Sequence, residues 1–177
     1  MVKNVLAIVS SPRRGGNTEA LVDRFTEGAK EAGHEVETVF LRDKKIAPCI
    51  ACEACLRNGG TCVQKDDMAE ILKKIIAADV IVLSSPVYYY SVCGQLKVMI
   101  DRTLAGQGKM KNKEFYFITT AADGVEAQER TMNDLQGFAD CVPGSVVKGE
   151  VRASAFHVGD IKGNPALEKA YQYGRNC

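Results

Sequence analysis

Net charge is what this chain has least of. Its 23 Lys and Arg residues nearly cancel 22 Asp and Glu, leaving +1 over 177 residues. That removes the electrostatic basis for binding nucleic acid or an anionic membrane surface, both of which need a concentrated positive field. No basic block or acidic tail breaks the balance. Long apolar runs are missing too, and none approaches the ~20 residues of a membrane span. The opening stretch MVKNVLAIVSSPRR has an apolar run of only Val5–Val9, followed by arginines and no small-x-small cleavage site, which argues against a secretory signal. Histidine is scarce: there are two. His34 follows Gly33 at a helix-to-strand turn and reads as solvated, and His157 is not placed as a base. No Ser/His/Asp order and no paired-carboxylate signal stands out, so no side chain is assigned a catalytic role. Repeats, linkers and low-complexity segments are absent as well. The expectation is one domain, 1–177, with a full hydrophobic core, in the cytoplasm, where thiols stay reduced.

What is present alternates. KNVLAIVSS, EVETVFLR, DVIVLSSP, KEFYFITTA and GSVVKGEVRASAF read as strands. Between and after them, TEALVDRFTEGAKEAG, DDMAEILKKIIAA, GQLKVMIDRTLA, GVEAQERTMNDLQGFADC and NPALEKAYQYGRN carry helical spacing. Five strand–helix alternations predict an α/β fold, a doubly wound and mostly parallel five-stranded sheet with helices on both faces. Such a sheet binds ligands beyond the carboxyl ends of its strands, where the strand order reverses.

Loops on that edge are unusual. SSPRRGGNT, Ser10–Thr18, opens into a helix and offers hydroxyls, an amide and two guanidiniums, a set suited to a phosphate monoester. It is not G-x-G-x-x-G, and it lacks the lysine of a G-x-x-x-x-G-K-[ST] loop. Read blandly, it is a capped helix start. SSPVYYYSVCGQLK places Tyr88, Tyr89 and Tyr90 in succession, so at least one ring should reach the edge, either to stack on a flat ring or to pack between loops or subunits. TTAADG after the fourth strand is small and polar.

SSPRRGGNTEAL, SSPVYYYSVCGQLKVMIDR and GDIKGNPALEKAYQYG together resemble the NADPH-dependent FMN reductase branch of the flavodoxin-like superfamily, nearly end to end. The resemblance implies FMN as the reactive group. Ser11, Arg13, Asn17 and Thr18 would hold its phosphate. Pro86, Val87, Tyr88 and Tyr89 would line the isoalloxazine, and Thr120 and Ala121 would approach its other edge. Ser10 stands where the family usually has glycine.

Cysteine is the exception to scarcity. There are seven, an odd number, and four fall in PCIACEACLRNGGTC at residues 48–62, inserted on the carboxyl edge after the second strand. Cys49, Cys52, Cys55 and Cys62 follow Cys-x2-Cys-x2-Cys-x6-Cys. Two x2 spacers let three thiolates come from one coiled segment, and Gly59 and Gly60 let the chain return with the fourth. Zinc sites more often split their ligands into two separated pairs; reduced thiols or a disulfide also fit. The run resembles the iron–sulfur flavoprotein subgroup, which implies a [4Fe–4S] cluster beside FMN and a homodimer or homotetramer exchanging electrons with a small-molecule or protein partner. A cluster-free NAD(P)H-dependent flavin or quinone reductase, and a non-enzymatic flavin carrier or sensor, remain as alternatives. Cys93, Cys141 and Cys177 receive no role.

Overall fold

The computed structural model describes residues 1–177. Its strands are β1 (Asn4–Val9), β2 (Glu35–Phe40), β3 (Val80–Tyr88), β4 (Ser91–Val92), β5 (Glu114–Ala121) and β6 (Val146–Ser154). Its helices are α1 (Asn17–Glu31), α2 (Ala54–Arg57), α3 (Met68–Ala77), α4 (Gly94–Arg102), α5 (Glu129–Asp140) and α6 (Ala166–Arg175). Five strands form one parallel sheet in the order β2-β1-β3-β5-β6. This is the doubly wound sheet expected from the alternation. The sixth strand, two residues long, pairs antiparallel with the end of β3 and turns the tyrosine run into a hairpin.

Side-chain alternation along each strand divides the core into two layers. Val5, Ala7 and Val9 of β1, with Val80, Val82, Tyr116 and Ile118, meet α1 and α6. Leu6 and Ile8, with Ile81, Leu83, Phe115 and Phe117, meet α3, α4 and α5. On the first face α1 and α6 touch backbone to backbone. A Cβ on Gly174 would lie 2.0 Å from the Phe25 carbonyl oxygen, and one on Gly28 would lie 2.3 Å from that of Tyr171. No helix is long and apolar enough to cross a membrane.

One buried cation closes the opposite end of the sheet from the expected site. Lys113 is 7 % exposed, and its Nζ donates to the carbonyls of Ile76 (2.7 Å) and Ala78 (2.5 Å), where α3 ends. Burial pulls its pKa below the ordinary lysine value. A positive charge belongs at a helix C-terminus. Lys113→Met should strip two carbonyls of their donor and cost about 2 kcal/mol, read as a drop of roughly 4–8 °C in thermal midpoint. An unchanged midpoint would show that solvent caps α3 equally well.

His34 is not simply solvated. Its Nδ1 accepts the Lys3 N–H at 3.2 Å and its Nε2 lies 3.1 Å from the Cys177 carbonyl oxygen, so it ties both chain ends to the β2 turn.

Candidate functional site

Strand order reverses between β1 and β3, and the loops leaving those two strands border a cavity of about 430 Å³. That is within the usual size of ligand sites, roughly 300–1,000 Å³. Ser11, Arg13, Asn17, Thr18, Pro86, Val87, Tyr88, Thr120 and Ala121 all line it. The structure therefore gathers in one place nine of the ten residues singled out for a flavin. Tyr89 lies outside. It is fully exposed at the hairpin tip and borders an adjacent hollow with Tyr90, Ala122 and Asp123. The reason is the hairpin itself: Tyr89 and Tyr90 are its two turn residues, both left-handed (φ 52° and 64°), which swings the Tyr89 ring off the cavity.

At the switch point serines lock β1 to β3. Ser10 Oγ donates to the Ser84 carbonyl (2.6 Å) and Ser84 Oγ to the Ile8 carbonyl (2.8 Å). The serine at position 10 thus replaces a glycine's freedom with a cross-strand hydrogen bond. Cys93, fully buried at the start of α4, adds its thiol to Ser10 Oγ at 3.0 Å. It is a packed residue of the hairpin base.

The polar end of the cavity is made by the start of α1. No side chain caps that helix, and the amides of Asn17, Thr18 and Glu19 donate to no acceptor in the protein. Unsatisfied donors and the positive end of the helix dipole face the cavity floor. Arg13's own N–H donates to Ser11 Oγ (3.2 Å), which leaves the Ser11 hydroxyl hydrogen available. The Asn17 side chain is engaged elsewhere: its Nδ2 donates to the His157 carbonyl (2.7 Å) and its Oδ1 accepts the Gly159 N–H (3.0 Å). Asn17 therefore holds the 155–159 loop against the cavity, and its backbone amide is what remains free at the floor. Thr18 and Thr120 share a hydroxyl–hydroxyl hydrogen bond of 2.6 Å, which joins the floor to the β5 wall.

Sequence reasoning missed two parts. Ala155, Phe156, His157 and Val158 complete the lining, held by Asp160, whose Oδ2 accepts the N–H groups of Phe156 (3.1 Å) and His157 (2.7 Å). The GDIKG motif carried that signal. Arg42, at the end of β2, donates to the Arg13 carbonyl (3.1 Å) and forms a two-pronged pair with Glu19 (2.7 and 3.2 Å), while Glu19 also accepts the Gly15 N–H (2.9 Å). This nearly buried pair sets the shape of the loop that precedes α1 from behind.

The cysteine run forms a closed loop with a hydrogen-bonded neck. Lys45 and Asp67 pair through their backbones, Asp67 Oδ2 accepts the Lys45 N–H (2.7 Å), and Asp66 Oδ2 accepts the Ala47 N–H (3.0 Å). Arg102 of α4 clamps both sides: Asp66 at 2.7 and 3.0 Å and the Ala47 carbonyl at 2.6 Å. That fork holds the Asp66 carboxyl below the ordinary carboxylate range. Inside the loop the expected convergence of Cys49, Cys52, Cys55 and Cys62 is not seen. Nowhere do three His, Cys, Asp or Glu side chains gather as a metal-binding group, and all seven cysteines are free. Cys55 and Cys62 are half-buried against the α3–α4 core, whereas Cys49 and Cys52 stay exposed across the short helix α2. Ala51 and Glu53, neither of them glycine, are left-handed (φ 51° and 55°), at about 1–2 kcal/mol each.

Comparison with known proteins decides the family. The profile of the NADPH-dependent FMN reductase family matches residues 3–156. The chain belongs to that family. An iron–sulfur flavoprotein of Methanosarcina thermophila is 36 % identical over 167 residues, covering 93 % of this chain and 84 % of the relative. One from Archaeoglobus fulgidus is 34 % identical, covering 90 % and 81 %. Among solved structures, an NAD(P)H:quinone oxidoreductase of Methanothermobacter marburgensis superposes with a TM-score of 0.78 at 19 % identity, covering 99 % of this chain and 96 % of that one. That likeness shows the flavodoxin-like fold. As a member of the FMN reductase family the chain is an FMN-dependent oxidoreductase.

Proposed function

We propose that this FMN-dependent oxidoreductase binds FMN in the switch-point cavity and couples it to a [4Fe–4S] cluster on Cys49, Cys52, Cys55 and Cys62. The observation that carries the flavin site is the helix floor without acceptors, set opposite an apolar wall in one cavity. The phosphate would take the amides of Asn17, Thr18 and Glu19, the Ser11 hydroxyl and the Arg13 guanidinium. The ring would lie against Pro86, Val87 and Tyr88 on one side and Thr120 and Ala121 on the other. FMN supplies one- or two-electron chemistry when bound. The protein's part is to bind it, orient it and exclude water. The Thr18–Thr120 bond keeps floor and wall in register, and Asn17 holds the 155–159 loop over the rim. NAD(P)H or a protein partner would be the electron source.

The cluster reading is supported by the four-cysteine spacing, by the iron–sulfur flavoproteins to which the chain is similar, and by the chemistry at the loop neck. All four thiols are free, and Arg102, whose Nη2 lies 3.5 Å from Cys62 Sγ, has a buried Nε with no partner. The thiols are not gathered in this conformation, so no electron path is drawn through them. Self-association as a dimer or tetramer in the cytosol belongs to the same reading, with exposed Tyr89 and Phe156 on the cavity side of the molecule.

The dispersed thiols favour one second reading, a cluster-free NAD(P)H-dependent flavin or quinone reductase. Anaerobic purification with an absorbance spectrum and an iron and sulfide assay separates the two. The expected result is flavin bands under a broad cluster absorbance, with about four irons per chain, and loss of the iron but not the flavin in Cys49→Ser and Cys62→Ser. Flavin without iron, even after reconstitution, would establish the second reading. No flavin uptake would overturn both.

A further inference from the structure

The first turn of α1 has two anions to accommodate. Its amides at Asn17, Thr18 and Glu19 have no acceptor in the protein, and the floor they form is where the flavin phosphate is proposed to lie. Glu19 puts a carboxylate on the same turn. Acidic side chains favour that position, because the positive end of the helix dipole attracts them. For the same reason an unpaired Glu19 would compete with a phosphate for the helix end and repel it. The carboxylate already reaches onto the loop that leads into the helix, where Oε2 accepts the Gly15 N–H at 2.9 Å.

Arg42 takes that acid from behind. Its Nη1 donates to Glu19 Oε2 at 2.7 Å and its Nη2 to Glu19 Oε1 at 3.2 Å, so both oxygens face the guanidinium. The two side chains are 9 % and 15 % exposed, and among the ion pairs only Arg102–Asp66 is more buried. Salt and water screen so sheltered a pair much less than a surface one. The guanidinium is fixed on its other sides as well: Nη1 donates to the Arg13 carbonyl at 3.1 Å, and the Phe40 ring lies 4.4 Å from the guanidinium carbon. Arg42 itself does not line the cavity.

We propose that Arg42 is a positioning residue for the flavin phosphate and acts through Glu19: it offsets the carboxylate that shares the helix start, and so sets the preference of the site for FMN over riboflavin. The inference rests on the flavin reading above and is independent of the cysteine loop. With the pair intact, the acid is held in both hands of the guanidinium and the amides are left to the ligand.

The test is a fluorescence titration of FMN and of riboflavin against flavin-free wild type, Arg42→Met, Glu19→Gln, the double variant and Arg42→Lys. In Arg42→Met the carboxylate stands unneutralised, and the ratio of FMN to riboflavin affinity should fall about tenfold, the order expected of one uncompensated charge. In Glu19→Gln the guanidinium is unneutralised instead, and the ratio should rise about threefold. The double variant restores the charge balance and Arg42→Lys keeps the charge without the fork, so both should stay within about twofold of wild type. Raising the salt should shrink every difference. A pair that only braces the loop would lower the ratio in Arg42→Met, Glu19→Gln and the double variant alike. That result overturns the proposal, and so does a ratio that no variant moves. If Arg42→Met does not fold, the rise in Glu19→Gln and its reversal in the double variant decide it. Wild type that binds riboflavin as tightly as FMN removes the phosphate reading itself, and this inference with it.

Discussion

Replacing Ser11 and Arg13 together with alanine should weaken FMN by about a hundredfold and leave riboflavin affinity nearly unchanged. The ligands differ by one phosphate, so their ratio isolates that end of the cavity. Ser11 and Arg13 each contribute a hydrogen bond to an anionic oxygen, worth roughly 1.5–3 kcal/mol and taken at the low end of that range. Their sum is near 3 kcal/mol, or about a factor of a hundred. The amides at the start of α1 are untouched, so binding should weaken without vanishing. Fluorescence titration of the two flavins against wild type and the double variant reads it directly. Equal losses for FMN and riboflavin would mean that the substitutions had disturbed the ring site, and that the phosphate lies elsewhere. Because Arg13 is exposed and Ser11 bonds only locally, stability should change little.

The layered sheet was legible because each strand is a short apolar run and each helix has a continuous apolar face, and such periods survive in any tertiary setting. That the loop before α1 would border the cavity was legible because hydroxyl, amide and guanidinium groups directly before a helix have few competing uses. What escaped was long-range. Arg42 looked like the last residue of a strand, and nothing local tells that it pairs with Glu19 and supports Arg13. Arg102 sat inside a stretch read only as helical, yet it clamps a loop at Ala47, 55 residues earlier in the chain. Asn17 had the right type and place for a phosphate ligand, but its side chain serves the 155–159 loop. Tyr89 lies off the cavity for a backbone reason: two consecutive left-handed residues turn its ring away, and a tyrosine pair gives no hint of a turn usually made by Asn-Gly. The cysteine spacing was plain, but spacing specifies which thiols can meet and not the conformation in which they do.

The largest stability effect should come from a single methyl group far from the cavity. Gly174→Ala would set a Cβ 2.0 Å from the Phe25 carbonyl oxygen and 2.9 Å from the Ala29 nitrogen, both backbone atoms that no rotamer change can move. Alanine gains about 1 kcal/mol of helix propensity over glycine. Overpacking costs typically 1–3 kcal/mol and more when the backbone must shift, so the clash wins, with a net loss of about 2 kcal/mol or more. Gly137→Ala is the control. It lies on the exposed face of α5 with open space around the added Cβ, and it should stabilise by roughly 0.5–1 kcal/mol. Chemical denaturation of the flavin-free proteins should therefore move the midpoint in opposite directions for the same chemical change. The consequence reaches the site, because the clash is relieved by parting α6 from α1, and α1 carries the proposed phosphate floor at its N-terminus. Gly174→Ala should thus also weaken FMN relative to riboflavin, whereas Gly137→Ala should leave that ratio alone. A Gly174→Ala protein as stable as wild type would show that the two helices slide apart at no cost, and the close backbone contact would then not be what positions the flavin loop.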